Sequence, residues 1–278
     1  SMPVLSSAAE NWGLSFPEVF NRLGLAPDFA WEARSADAEV FYIHRRIGDA
    51  EVFFVSNQKP RTEPITAKFR VANRQPELWD PVTGTVTQPA VFKAVTGGVE
   101  MGLSLDPAGS VFVVFREPMP ARHAVAASGR AELAFEADGR MLARVWQPGV
   151  NQVEFSDGSR RELPGQAVPP PIELAGPWDV QFPPGLGAPP SARFSELVSW
   201  TQRPEAGIRY FSGTAPYTLA FEVSAENLGP GREAWFDLGD VQVIAEVRLN
   251  GQDLGILWKP PFRLNATAAL KPGTNRLE

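Results

Sequence analysis

"AEVRLNGQDLGILWKPPF" (residues 245–262) decides the fold class. Asn and Gly both tolerate the positive φ of a type I′ turn, and Asn250-Gly251 separates two alternating apolar runs, so the segment reads as a β-hairpin. A two-residue loop fixes the register. Leu249 is expected opposite Gln252, Arg248 opposite Asp253, Val247 opposite Leu254 and Ala245 opposite Ile256. The apolar members then share a core face, and an Arg248–Asp253 ion pair lies on the solvent face. The exit Trp258-Lys259-Pro260-Pro261-Phe262 is stiff, blocks further ladder pairing and returns Phe262 to the core at the next strand.

The rest of the composition points the same way. With 278 residues and 44% hydrophobic content the chain can bury two cores of ordinary size, and 27 Pro, 24 Gly and 18 Phe favour many short strands. A net charge of −6 with scattered basic residues lacks the electrostatic footprint of a nucleic-acid binder. No run reaches the roughly 18 apolar residues of a membrane-spanning helix. The absence of cysteine removes disulfides, thiolate metal sites and cysteine nucleophiles.

Along the chain, only "SAAENWGLSFPEVFNRLGL" reads as helical, with Ser15 as N-cap, Pro17 in the first turn, Val19, Phe20 and Leu23 at helical spacing, and Gly24 as the stop. From Val40 the period becomes two: "VFYIH", "EVFFVSNQ", "ITAKFRV", "AVFKAV", "GVEMGLSL" and "SVFVVFRE" suggest a β-sandwich. "AELAFEADGRMLARVWQPGVNQVEFSDGSRREL" is expected to continue the same sheets, with turns at Ala-Asp-Gly and Ser-Asp-Gly. The proline-rich "LPGQAVPPPIEL" (residues 163–174) marks a boundary. The expected organisation is a helical tail or connector at 1–30, a β-sandwich at 31–165 and a second sandwich at 166–278. The class is all-β.

The second part carries Gly176-x-Trp178, then "YFSGTAPYTLAFEV", then "WFDLGDVQVIAEVRLNGQDLG", then "PPFRLNATAALKPGTNRLE". This order resembles the galactose-binding-like jelly roll that serves glycoside hydrolases as a sugar-binding domain. The wording "GIRYFSGTA", "AEVRLNGQDLGILWKPPFRL", "IHRRIGDAEVFFVSNQ" and "PELWDPVTG" further resembles the C-terminal region of α-L-rhamnosidases of glycoside hydrolase family 106, over roughly residues 25–278. The resemblance implies an upstream catalytic α/β barrel that bears the acid and base carboxylates and hydrolyses terminal α-L-rhamnosyl bonds. This sequence shows no strands alternating with helices, so it is expected to hold no catalytic residue. It would support that missing barrel and contact a rhamnose-containing glycan. A self-sufficient carbohydrate-binding module and a purely structural domain pair are the alternatives. The resemblance also implies a periplasmic or extracellular setting. Ser1-Met2 reads as a tag-removal scar, and the strand after Gly273-Thr274-Asn275 reads as cut short.

Candidate chemistry is sparse. Asp237, Asp240, Glu246 and Asp253 cluster around the hairpin, but the ordinary reading is solvated turn and edge residues. No cofactor is expected, and a structural calcium would rest on composition alone because the EF-hand pattern is absent. His44 and His123 have no second histidine at ligand spacing, and Ser212-Gly213 and Ser56-Asn57 lack a nucleophile elbow. Aromatics remain, since sugars stack C–H faces on rings while polar side chains take the hydroxyls. Trp258, Tyr210, Arg209 and Trp200 fall at strand ends or loops and are the carbohydrate-binding candidates. Trp178, Tyr217 and Trp235 sit in strand patterns and read as core, and Trp79 reads as a residue that pins a turn.

Overall fold

The computed structural model of the protein describes residues 16–128, 131–135, 141–145, 151–163 and 168–278. The Ser15 cap, the Ala137-Asp138-Gly139 turn, the Ser1-Met2 start and residues 164–167 of the boundary segment lie outside them. The chain divides into two units, Ser1–Val168 and Pro169–Glu278.

The first unit opens with helix α1 (Phe16–Arg22) and continues as β1 (Phe29–Ala33), β2 (Val40–Ile47), β3 (Ala50–Asn57), β4 (Glu63–Phe69), β5 (Arg74–Trp79), β6 (Val86–Pro89), β7 (Lys93–Val95), β8 (Gly98–Leu105) and β9 (Ser110–Pro118). Then come β10 (Ala124–Ser128), β11 (Ala131–Phe135), β12 (Met141–Val145), β13 (Asn151–Phe155) and β14 (Arg160–Leu163). A four-stranded sheet β1-β4-β8-β7 faces the β5-β9-β3-β2 part of a seven-stranded sheet β12-β11-β6-β5-β9-β3-β2. Period-two sequence makes this sandwich: Ile65, Ala67 and Phe69 of β4 are buried while Pro64, Thr66 and Lys68 are exposed. Met101, Leu103 and Leu105 of β8 and Phe53, Val55, Val113 and Phe115 of β3 and β9 complete the core. At the corner Gly98 is obligatory, because a Cβ there would lie 2.0 Å from the Phe69 carbonyl oxygen.

The expectation that residues 131–163 simply extend these sheets holds for β11 and β12, which join the seven-stranded sheet through β6. It fails for β13 and β14. These pair with β10 in a separate three-stranded sheet around a small core of Ala124, Val153 and Phe155. Short strands that cannot cover the main core bury their own apolar residues locally.

The second unit holds β15 (Trp178–Gln181), β16 (Ser191–Phe194), a 3-10 turn (Trp200–Gln202), α2 (Ala206–Arg209), β17 (Tyr217–Val223), β18 (Trp235–Asp237), β19 (Ala245–Leu249), β20 (Gln252–Leu257), β21 (Arg263–Asn265) and β22 (Gly273–Leu277). A six-stranded sheet β16-β15-β17-β22-β19-β20 packs with the β18-β21 pair over Trp178, Val180, Phe194, Ile208, Leu249 and Leu264. The last strand pairs with β17 along its whole length, from Val223–Gly273 to Leu219–Leu277.

The hairpin turn forms as read, with Asn250 at φ 54° and Gly251 at φ 83°. Its first two pairs, Leu249–Gln252 and Arg248–Asp253, match the expected register. Beyond them the register slips by one, to Val247–Gly255, Glu246–Ile256 and Ala245–Leu257. The cause is a bulge at Leu254, made by Gly255 at φ 115° and held by the Gly255 N–H donating to Asp253 Oδ1 at 2.8 Å. The expected Arg248–Asp253 ion pair is therefore absent: Asp253 accepts from its own turn, and Arg248 pairs with Glu246 at 2.5 Å.

Candidate functional site

The bulge builds the feature of most chemical interest. It keeps both Leu254 and Leu257 packed on the core and turns Ile256 outward, where the simple register had buried it. The outer face of β19–β20 then carries Glu246 directly across from Ile256, with Ile244 and Trp258 flanking the last ladder pair. Ile244 and Ile256 are exposed, and Trp258 is 54% exposed beside them. An aromatic and two aliphatic side chains thus border the Glu246–Arg248 ion pair on one solvent-facing edge hairpin. Gly255 inside a strand pattern was the available sequence signal for the bulge. Phe262 is buried and its carbonyl accepts the Leu238 N–H at 2.9 Å, so the exit returns to the core as expected.

The other candidates are not assembled with Trp258. Trp200 is half-buried against Phe182 and Phe211 and donates Nε1–H to the Tyr217 hydroxyl at 2.5 Å, so it serves packing. Burial pushes the Tyr217 hydroxyl above its ordinary pKa. Arg209 at the end of α2 donates to the Arg203 carbonyl at 3.0 Å, and Tyr210 is 79% exposed next to it. Helix α2 lies against the 187–188 turn between β15 and β16, where a Cβ on Gly207 would meet the Gly187 carbonyl at 2.2 Å. That is the opposite edge of the six-stranded sheet from β20. Trp178 is buried and Tyr217 half-buried in the core, but Trp235 is at the margin, with its Nε1–H on Glu233 at 3.0 Å. Trp79 donates its Nε1–H to Glu77 at 2.9 Å, and in the turn that follows it Asp80 accepts the Val82 N–H at 2.7 Å.

Of the hairpin carboxylates, Asp237, Glu246 and Asp253 each hold a hydrogen bond or ion pair within the chain. Asp237 accepts the Gly239 N–H at 3.0 Å and the Arg263 Nε–H at 2.8 Å, which together hold its carboxyl below the ordinary value of 3.8. A depressed carboxylate contributes stability above its unfolded pKa and loses it as pH falls through the folded one. The Asp237 contribution is accordingly constant from neutrality down to about pH 5 and lost progressively below that. Asp237→Asn should flatten the acid limb of a pH–stability curve of the second unit, and an unchanged limb would contradict this role.

In the first unit, Glu63 and Glu77 are fully buried. Glu63 accepts from Arg61 at 2.9 Å, and Glu77 accepts from Trp79 Nε1 at 2.9 Å and Arg116 Nε at 2.8 Å. His44 stacks on Phe53 at 4.0 Å with its ring nitrogens on Asp28 and Glu51, and His123 stacks on Phe92 at 4.4 Å. Among the described residues no cluster of His, Asp or Glu is arranged to hold a metal ion.

Known proteins share this sequence and fold in part. Residues 4–93 match the model of glycoside hydrolase family 106, the α-L-rhamnosidases. A solved rhamnosidase from Novosphingobium sp. PP1Y superposes on 95% of this chain and 22% of its own, with a TM-score of 0.71 and 29% identity. A curated protein of Formosa agariphila named "Putative beta-glucuronidase" is 47% identical over 131 residues, which are 47% of this chain and 11% of that protein. The chain therefore spans only 11% of one relative and 22% of the other. By sequence over residues 4–93 and by fold over nearly its whole length, the chain is α-L-rhamnosidase-like and is similar to one part of a larger glycoside hydrolase.

Proposed function

We propose that this chain is a non-catalytic portion of a multidomain α-L-rhamnosidase-type enzyme. It supports the catalytic domain, and its second unit is a galactose-binding-like jelly roll that touches the glycan. The observation that carries the reading is the fold likeness to a rhamnosidase over 95% of this chain but only 22% of that one. Among the described residues the two fully buried carboxylates, Glu63 and Glu77, are each paired with an arginine, which supports a structural role for them rather than the free, facing pair that glycoside hydrolysis uses. The parent reaction is hydrolysis of terminal α-L-rhamnosyl bonds.

The glycan contact is the β19–β20 outer face. A 6-deoxyhexose offers a C–H face and a methyl group to Trp258, Ile256 and Ile244, while Glu246 and Arg248 are within the same surface for its hydroxyls.

The test is enzymatic and calorimetric. The purified chain is expected to release no aryl group from aryl α-L-rhamnoside or aryl β-D-glucuronide, and turnover of either overturns the non-catalytic reading. Rhamnose oligomers are expected to bind, with Trp258→Ala weakening them about tenfold, or ~1.4 kcal/mol. Tyr210→Ala, at the opposite sheet edge, should leave binding unchanged; the reverse pattern would move the contact to α2.

A further inference from the structure

Strands covered on both faces read as continuous apolar runs, and "EVFFVSN" in β3 and "SVFVVFRE" in β9 are such runs. One face of their seven-stranded sheet is the core. On the other, the register sets Ile43, Phe54, Phe112, Trp79 and Val86 side by side across β2, β3, β9, β5 and β6. Five strands at about 4.8 Å spacing make an apolar row roughly 19 Å long. The Phe54 and Phe112 ring centroids are 5.0 Å apart, and Ile43 and Val86 at the two ends are each 52% exposed. Phe41 and Ile47 extend the same face along β2 and are also exposed. Single exposed apolar residues are ordinary on a surface; a contiguous row in register is not.

We propose that this outer face is the surface on which the catalytic domain of the longer polypeptide docks, an inference that rests on the reading given under Proposed function. The amount of chain elsewhere argues for that occupant, since this chain corresponds to 22% of the solved rhamnosidase and 11% of the curated relative. A covalently linked neighbour meets the face at an effective concentration in the millimolar range, so a face of ordinary inter-domain size, roughly 600–1,500 Å², is enough. Charge defines the partner further. Arg45 is exposed on the same face of β2, and Arg116 borders it with its guanidinium 5.4 Å from the Trp79 ring and bonded to Glu77. The matching surface is apolar with carboxylates at its rim.

The absence of cysteine gives a clean test. Ile43→Cys is introduced into the 278-residue chain and into the full-length polypeptide, and its maleimide alkylation is followed by peptide-resolved mass spectrometry. Alkylation is expected to be at least tenfold slower in the full-length polypeptide. Lys93→Cys, on β7 of the opposite layer, should label at similar rates in both. Equal rates at Ile43→Cys, or equal slowing at both positions, overturn the proposal. Slowing that appears in the 278-residue chain and grows with its concentration overturns it in favour of self-association. Aryl rhamnoside turnover by the 278-residue chain would remove the underlying reading, whereas equal labelling of an inactive chain removes the docking surface alone.

Discussion

Asn275→Ala is expected to lower the stability of the second unit by about 3 kcal/mol and its melting temperature by roughly 10–20 °C. The Asn275 side chain is completely buried and fully bonded. Its Nδ2 donates to the Lys271 carbonyl at 2.7 Å and the Gly273 carbonyl at 2.9 Å, and its Oδ1 accepts from the Lys271 N–H at 3.1 Å and from Asn250 Nδ2 at 2.8 Å. Asn250 in turn donates to the Ala269 carbonyl at 2.9 Å and accepts the Arg276 N–H at 3.0 Å. Two asparagines thereby tie the β19–β20 turn, the segment before β22 and β22 itself into one network. Alanine strands several buried polar groups at once, each worth about 1–3 kcal/mol when unpaired, with water recovering part of the loss. Asn275→Asp should also fail, because a carboxylate would face two carbonyl oxygens. Asn250→Ala and Asn275→Ala should be non-additive in a double-mutant cycle. Thermal unfolding checks all three, and a loss below about 0.5 kcal/mol for Asn275→Ala would refute the network's importance.

What the sequence makes legible here is what is local. Asn250-Gly251 specifies its turn through its own φ values, and the alternation in β4 or β17 needs no knowledge of a partner. The Leu254 bulge escapes because it depends on where Gly255 can adopt φ 115° within a ladder, and one inserted residue moves Ile256 from core to surface. Strand β5 escapes for a related reason: Pro76 lies inside "RQPELW", and only the bulge between Arg74 and Pro76 lets it sit in an interior strand. The row from Ile43 to Val86 is invisible in one dimension. Its members are aligned by the order β6-β5-β9-β3-β2, and β9 is inserted between β3 and β5 by long-range pairing. Among the candidate aromatics, Trp258 lies on a solvent-facing surface, while Trp200 is folded onto Phe182 and Phe211 by a 3-10 turn that has no strong sequence signature.

Phe53→Ala is expected to cost the first unit about 3–5 kcal/mol, the range for removing a fully buried phenylalanine. The ring is the link between the two sandwich layers: it meets Phe69 of β4 edge-on at 5.0 Å and Phe115 of β9 at 6.0 Å, and His44 of β2 stacks on it at 4.0 Å. Phe53→Leu, which keeps most of the volume, should cost considerably less. Hydrogen exchange of the β3 and β9 amides reads the loss without depending on the second unit. Phe54, the next residue, points to the opposite face and is only half-buried, so Phe54→Ala in the 278-residue chain should cost about 1 kcal/mol. The contrast between two adjacent phenylalanines carries the architectural argument, because both belong to one apolar run and only one of them is fully buried. In the full-length polypeptide the cost of Phe54→Ala should rise toward that of Phe53→Ala as the docked domain buries its ring. If the two substitutions are already equally costly in the 278-residue chain, the outer face is covered without a neighbour, and the apolar row has to be read as core.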